Sequence, residues 1–579
     1  MKSQIAFLSL AFAALSAALP AADPYIGYIY PAAIQAGSTN QFVIGGQSLW
    51  GRVDAWVSGG GVRVLEVESV PGFPFADQAQ RNYLKKWLDG IDSGHPEAPP
   101  MPELKPTDAW RTNAWWMALD KLGPKERAIV ARDLWIRKNP LQAAPSLKQL
   151  TIVTLAADAD ARPGPRQMRL LRKGDGSISA PRPLVVTAEP VVEEPLYTPH
   201  ADKAVPPPAI SSLPAVAAGQ IMPGETDRVR FALPAGMSVR VSVSGRMLQP
   251  YVGDAVPGFF NPVVRVLDPD GREIAFGDDD SFRPDPSFVF KTGAAGEYAI
   301  EIFDRLFRGR EDFVYSLAVA DASSPATAAS DPFAPMAPRR KFPACTVFAG
   351  DFADGARHAI EVREPGPLVF DLYSRRLGAA TDGVLELEDA QGNALARWDD
   401  ATNTVHVGAL IQQELDPCGR YDFRNPGTYY VRVRESCGRR GAYELEVRPP
   451  TPHFRVYAKR SGFHLAKGQR VPFKVVVDRR EGFAGPVTLV GNESCSLEQA
   501  TIPADVSEAT VTAVGLREAP SEPAFAALLA VGEAEGEAVC AKVLAADEYN
   551  QAFAWDHLLS MGDFVFASRR PSPPPKKKK

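Results

Sequence analysis

Chemistry in this sequence gathers first around aspartate. Asp278, Asp279 and Asp280 are consecutive, and Asp268 and Asp270 precede them on what reads as a hairpin. Bunched carboxylates repel one another, and a hard cation such as calcium, which takes six or more oxygen ligands, relieves that repulsion. The same residues carry a second reading, in which Asp268-Pro-Asp-Gly271 is a β-turn and the later acids are a solvated loop. A thinner set, Asp389, Asp399 and Asp400, recurs downstream. Calcium is the one cofactor this pattern suggests.

Catalytic constellations are missing from the sequence. The seven histidines are scattered without a His-x-x-x-His pair, and there is neither a Gly-x-Ser-x-Gly elbow nor a Gly-x-x-x-x-Gly-Lys loop. Gly59-Gly60-Gly61 precedes a strand pattern, whereas a phosphate loop opens a helix, so it reads as a turn. Five cysteines, all beyond residue 340, form no Cys-x-x-Cys pair. Cys495 and Cys540 fall in one predicted domain and are candidates for a disulfide. Cys418 and Cys437 flank one predicted strand, Cys345 is a rival partner, and five reduced core thiols are the alternative. The expectation is a protein without catalytic activity of its own.

The elements that must carry these residues are mostly strands. At 579 residues the chain has room for about four domains. Its 53 prolines and 46 glycines make up about 17% of the chain, against roughly 12% on average, which suits short strands joined by turns. Residues 23–195 read as an immunoglobulin-like β-domain interrupted at 76–138 by helical spacing. Five of the nine tryptophans lie in that insertion: Trp87, Trp110, Trp115, Trp116 and Trp135. They either stack on sugar rings or bury themselves against the neighbouring sheet. A helix is expected from Asp108 to Leu122, capped by Thr107. A proline-rich linker spans 196–214, two repeat units span 215–321 and 341–449 with a linker at 322–340, and a further β-unit covers 450–568. A basic tail, 569–579, closes the sequence. The fold class expected is mainly β, with serial immunoglobulin-like or jelly-roll-like sandwiches and one small α-helical insertion.

Charge and the N-terminus bound the compartment and the partners. The formal charge of -5 includes Arg569, Arg570 and Lys576 to Lys579, so the rest of the chain stands at -11. An acidic body excludes a nucleic-acid partner. Lys2, the apolar run Ile5 to Leu15 and the small residues up to Ala22 have the layout of a signal peptide over 1–22. The expected protein is exported, to the periplasm, the cell surface or the medium, with no transmembrane segment after cleavage.

The two repeat units echo each other at a spacing near 130 residues. Val263 to Gly271 is matched by Val384 to Gly392, Gly296-Glu-Tyr298 by Gly427-Thr-Tyr429, and Tyr315-Ser-Leu317 by Tyr443-Glu-Leu445. With Pro223-Gly224-Glu-Thr-Asp227 and Ser374-Arg-Arg-Leu-Gly378, these motifs resemble the bacterial pre-peptidase C-terminal (PPC) domain, a secreted β-sandwich. The first block, through Pro31 and Gly45-Gly46-Gln47, is similar to an IPT/TIG module. The four-part order looks like large secreted proteins of planctomycetes and verrucomicrobia. The Glu-Pro-Asn-Asp-like opening of the PPC family is absent near Thr198 to Asp202. Such domains accompany extracellular peptidases, and no peptidase module is present here. Serial β-domains on proline-rich linkers, without catalytic motifs, lead to the expectation of an envelope or extracellular protein that binds polysaccharide or an envelope protein, its linkers giving reach. The alternative is an accessory or targeting component of a secreted peptidase or glycoside hydrolase system.

Overall fold

Alternation of apolar and polar residues sets the architecture. In Ser238–Ser244, Val239, Val241 and Val243 are buried while Arg240 and Ser242 stay open to solvent, the period-two pattern of a half-buried strand. The computed structural model describes residues 23–49, 53–71, 78–92, 109–135, 144–172, 177–194, 209–248, 258–278, 285–323, 342, 345–352, 356–377, 379, 381–399, 416–516, 522–551 and 555–568. The signal sequence, most of both linkers and the basic tail lie outside the described residues. Within them the fold is mainly β, arranged as four sandwich units, and both α-helices belong to one insertion.

The first sandwich packs strands Tyr25–Tyr30, Thr39–Gln47, Gln149–Ala157 and Val62–Ser69 against Ala33–Gln35, Arg182–Thr187, Gly164–Arg172 and Val53–Val57. Ile29, Phe42, Ile44, Val153, Leu155 and Leu170 fill the space between the sheets. The outer face of the first sheet is apolar too, through Tyr28, Tyr30, Val43 and Ile152, and the insertion covers it. Helix α1 (Gln78–Asp92) and helix α2 (Pro124–Trp135) bring Leu84, Trp87, Ile129 and Val130 to that face. The helix expected over 108–122 is instead two 3-10 turns, Ala109–Thr112 and Trp116–Lys121. Asn113 breaks it: its side-chain oxygen accepts the N–H groups of Trp115 and Trp116 at 3.1 and 3.0 Å, competing with the helical ladder. Trp87, Trp115 and Trp116 are buried, so these three are core and present no sugar-stacking surface. The side chains of Trp110 and Trp135 lie outside the described residues.

The second and third sandwiches share one plan. In the second, Ala209–Ile210, Asp227–Leu233, Gly296–Asp304, Pro262–Leu267 and Glu273–Gly277 face Ser287–Lys291, Ser238–Ser244, Val314–Asp321, Ala215–Gln220 and Val191–Glu193. In the third, Arg357–Val362, Gly427–Glu435, Gly383–Glu388 and Ala394–Trp398 face Thr346–Asp351, Ala442–Arg448, Gly366–Tyr373 and Cys418–Phe423. Both place a register shift at the same point, Val266/Leu267 and Leu387/Glu388. Both pair a glycine with the tyrosine of the closing strand, Gly219 with Tyr315 and Gly350 with Tyr443. Val191–Glu193 falls in the first domain by sequence pattern. Here it is an edge strand of the second sandwich, parallel to Ala215–Gln220.

The fourth unit wraps a nine-stranded sheet, centred on Arg470–Arg480, His453–Ala458 and Glu537–Gln551, around a three-stranded one. Cys495 and Cys540 are not joined by a disulfide. Cys495 is buried and Cys540 is exposed, and the two stand on strands that are not neighbours in the large sheet.

The units do not hang as beads on their linkers. Leu171 and Ile178 of the first sandwich pack on Val565 and Ala567 of the fourth unit, Arg169 donates to the Ser461 hydroxyl at 3.0 Å, and Trp56 meets Phe525 edge-on. Arg448, at the end of the third sandwich, makes two bonds to Glu481 of the fourth at 2.6 and 2.7 Å. The first and second sandwiches meet where Leu248 and Val314 enter the aromatic cluster under the insertion.

Candidate cation site

The aspartates singled out by sequence do not converge. Asp268 is a turn residue: its side-chain oxygen accepts the N–H groups of Asp270 and Arg272 at 2.9 and 2.8 Å, and Gly271 sits at φ +79°. Asp389 does the same with Gln391 and Asn393, with Gly392 at φ +85°. The Asp270 carboxylate pairs with Arg272 at 2.8 Å, and Asp278 lies 3.7 Å from the Arg305 guanidinium. Asp279 and Asp280 lie outside the described residues. Among the described residues, Asp268, Asp270 and Asp278 form no cation-sized group.

A different acidic group does converge, at the seam between the first two sandwiches. Glu194 follows the parallel edge strand and is held by its N–H on the Ala218 carbonyl at 2.9 Å. Glu225 sits in the turn after Ala215–Gln220, its carboxylate accepting the Met222 N–H at 2.9 Å. Asp227 begins the next strand. One oxygen from each lies within 4.8 Å of the others. Tyr30, the last residue of the first strand of the first sandwich, donates its hydroxyl to the Glu194 carbonyl oxygen. Tyr315 closes the site from the second sandwich.

The electrostatics of this group are unbalanced. Asp227 is 4% exposed. It faces the Tyr315 hydroxyl and the Glu194 carboxyl, yet neither of its oxygens meets a hydrogen-bond donor at bonding geometry. Next to it, Gln220 donates its backbone N–H to Glu194 at 3.2 Å, while its buried side-chain oxygen has no donor either. Burial pushes the Glu194 carboxyl up to about 7, and the charge of Glu225 adds to the rise. Burial and then the charges of Glu194 and Glu225 push Asp227 up as well. Burial raises Glu225, against the opposing Met222 N–H. Tyr30 and Tyr315 are held neutral by burial and by these acids. Glu193, one residue earlier, is different: Lys125 from α2 pairs with it at 3.0 Å.

The third sandwich fills the same place differently. The position of Asp227 is taken there by Ala356, whose carbonyl accepts the Val433 N–H at 2.9 Å. The counterpart of Tyr315 is Tyr443, whose hydroxyl bonds the His358 ring at 2.8 Å. In sequence Asp351 and Asp354 take the positions of Gln220 and Glu225, so acidic residues occur at this turn in both units. Sequence held one clue to them, since Glu225 and Asp227 lie within the Pro223-Gly224-Glu-Thr-Asp227 motif. Glu194 gave none, because a parallel edge strand after a domain boundary has no local signature.

No family model matches the chain, and no curated protein matches it. Among solved structures it is similar to the Yersinia pseudotuberculosis-derived mitogen, at 13% identity over 19% of this chain and 87% of that one, with a TM-score of 0.14. It is also similar to the fibronectin(III)-like modules of Clostridium thermocellum CbhA, at 9% identity over 38% and 90%, with a TM-score of 0.13. A third likeness, to tripeptidyl peptidase 2, has 8% identity over 95% of this chain and 40% of that chain, with a TM-score of 0.12. TM-scores of this size establish no shared fold.

Proposed function

We propose that this chain is a non-catalytic, exported binding protein of the cell envelope or extracellular space, with a polysaccharide or protein as its ligand. The observation that carries the binding reading is an exposed aromatic face on the second sandwich. Across its outer sheet, Arg228, Glu301, Arg265 and Phe276 stand in register on neighbouring strands. Glu301 is paired by both arginines, so the row is tied together and keeps one positive charge in excess. Phe276 is 56% exposed. Beside the row, Phe307, 68% exposed at φ +54°, stacks on Phe303 with ring centroids 5.1 Å apart. Contiguous exposed apolar surface rimmed by polar groups marks interaction sites, and aromatic faces serve both sugar rings and protein side chains.

Export rests on the leader-like N-terminus, and the assignment of the two related sandwiches to the PPC type rests on their shared motifs. No helix among the described residues is long and apolar enough to cross a membrane. The test is a glycan array and a pull-down from the secreted fraction, each with the full chain and with Phe276→Ser/Phe307→Ser. Retention of a glycan or envelope protein, lost in the double variant, is the expected result. A stoichiometric hydrolase in the pull-down moves the protein to the accessory reading. Hydrolysis by the purified chain, or binding unaffected by the variant, overturns the proposal.

A further inference from the structure

The second and third sandwiches share one plan, yet one sheet edge is closed in the second and open in the third. In the second, Val191–Glu193 lies parallel along Ala215–Gln220, with Val191 opposite Val216 and Glu193 opposite Ala218. Val216 donates its N–H to the Pro190 carbonyl and Ala218 accepts the Glu194 N–H, both at 2.9 Å. Every residue of Ala215–Gln220 is buried. The pairs Gly219–Tyr315 and Gly350–Tyr443 make Thr346–Asp351 the same strand of the third sandwich. The Phe352 N–H bonds the Gly441 carbonyl as the Ile221 N–H bonds that of Phe313, so the two strands also run in the same phase. Val347 and Ala349 therefore turn their backbone groups outward, as Val216 and Ala218 do. There they meet no partner among the described residues. No residue of Thr346–Asp351 is buried, and Val347 is 51% exposed.

An open edge is a template for another strand, and folded proteins blunt such edges with a bulge, a proline or a charge. Other edges here are blunted: Val62–Ser69 shifts register at Val64/Glu66, and Cys418–Phe423 carries Arg420 and Asp422. Thr346–Asp351 pairs in unbroken register, and Thr346-Val-Phe-Ala-Gly350 carries neither charge nor proline. The neighbouring residues select the occupant. Ser316, Ala318 and Gln220 surround the docked Val191–Glu193 in the second sandwich, and Glu444, Glu446 and Asp351 take their places in the third. Arg448, the cation on the same strand, is engaged by Glu481. Acids at these positions disfavour a second Val-Val-Glu-Glu segment and favour a basic one. The basic tail of this chain is a poor candidate, because Pro571 and Pro573 to Pro575 supply no N–H to a ladder. We propose that Thr346–Asp351 is a docking edge that takes an extended, basic, β-branched segment of another protein as a parallel fifth strand. Main-chain bonds to Val347 and Ala349 supply affinity, and the flanking acids supply selectivity. The edge lies on a different sandwich from the exposed Phe276 and Phe307 and acts independently of them.

The experiment titrates the full chain, in EDTA, into a fluorescent peptide of sequence Thr-Lys-Val-Arg-Val-Lys-Val-Thr and follows anisotropy. Saturable one-to-one binding is expected, with hydrogen exchange slowed at 346–351 and unchanged at 215–220. Glutamate in place of the basic residues should weaken binding at least about tenfold, and N-methylation of alternate amides along either edge of the peptide should identify the edge that docks by abolishing binding. Val347→Pro should also weaken binding at least about tenfold, because it removes the outward N–H while proline is tolerated where an edge faces solvent. Val347→Lys, a conservative change for folding at an exposed position, provides the same comparison if Val347→Pro does not fold. Phe276→Ser/Phe307→Ser should leave peptide binding unchanged, so failure here and failure of the aromatic face are separate results. Absence of binding at about 1 mM peptide overturns the proposal. Binding that survives N-methylation on both edges, that both Val347 variants leave intact, or that prefers the acidic peptide overturns it as well. So does a dimer of the chain that Val347→Lys dissociates, because a second copy then occupies the edge.

Discussion

A buried ion pair joins the third and fourth units, and its removal has a calculable cost. Arg448 is 2% exposed in its side chain and Glu481 15%, and the two make bonds of 2.6 and 2.7 Å. The Glu481 carboxylate also accepts the Thr451 N–H at 2.7 Å, and the Phe342 ring lies 3.5 Å from the guanidinium carbon. Glu481→Gln keeps one acceptor but removes the charge, leaving the buried guanidinium without its hydrogen-bonded counter-ion. Breaking a buried pair from one side costs about 3–5 kcal/mol, and the retained amide oxygen brings the expected loss to about 3 kcal/mol. In an Arg448→Met background the same change should cost less than about 1 kcal/mol, because the stranded cation is gone. Burial pushes the Glu481 carboxyl up, but the bonds from Arg448 and Thr451 outweigh it and leave the group below the ordinary glutamate value. A depressed acid contributes stability that is present above its unfolded pKa of about 4.3 and lost as pH falls through the folded one. The wild type should therefore loosen at this junction below about pH 4, and Glu481→Gln should lack that acid limb. Hydrogen exchange resolved to 442–448 and 453–458 is the assay, since a chain of four units does not unfold in one step. An Glu481→Gln loss below about 0.5 kcal/mol, or additive losses in the double variant, would refute the reasoning.

Three further outcomes follow from the same geometry. Asp416→Asn should destabilise the third sandwich by about 2–4 kcal/mol, because the Asp416 carboxylate accepts the N–H groups of Ser374, Arg375 and Arg376 at 3.1, 2.9 and 3.0 Å; denaturant unfolding that leaves this transition in place would count against it. Gly219→Ala should cost the second sandwich about 1–3 kcal/mol, since the added methyl overlaps the buried Tyr315 ring, and an unchanged thermal transition would show that the ring has room to move. Ile178→Asp puts a charge between Leu171, Val565 and Ala567; X-ray scattering should show a larger radius of gyration with each unit still folded, and an unchanged curve would mean the first and fourth units are held together by other contacts.

The repeat was legible because its turns use residues with one job. Asp268-x-x-Gly271 and Asp389-x-x-Gly392 require an acceptor at the first position and positive φ at the last, and few residues supply either. Contacts such as Arg448–Glu481 and the aspartate anchors were not legible, because they join residues far apart in sequence. The anchor in each sandwich is a case: Asp285 accepts the N–H groups of Gly245, Arg246 and Met247, as Asp416 does for Ser374 to Arg376. Both aspartates precede a proline that leads into a strand, Asp285-Pro286 and Asp416-Pro417, and that dipeptide was the available signal. The Asp108–Leu122 helix failed for a related reason. Periodicity records where apolar residues fall but not that Asn113 turns its side chain onto its own backbone.

The seams change what four sandwiches in series can do. Flexible linkers would let each unit find its ligand independently, with avidity set by linker length. Here the third unit is fastened to the fourth, the fourth to the first, and the first to the second. Binding surfaces on different units then sit at fixed spacing, so two of them can engage one ligand only if its own repeat matches that spacing. Such an arrangement trades tolerance for selectivity: a rigid body with no ordering cost binds a matching target more tightly and a mismatched one less. At the seam between the first two sandwiches that placement is held by the Tyr30 hydroxyl on the Glu194 carbonyl and by Lys125 on Glu193.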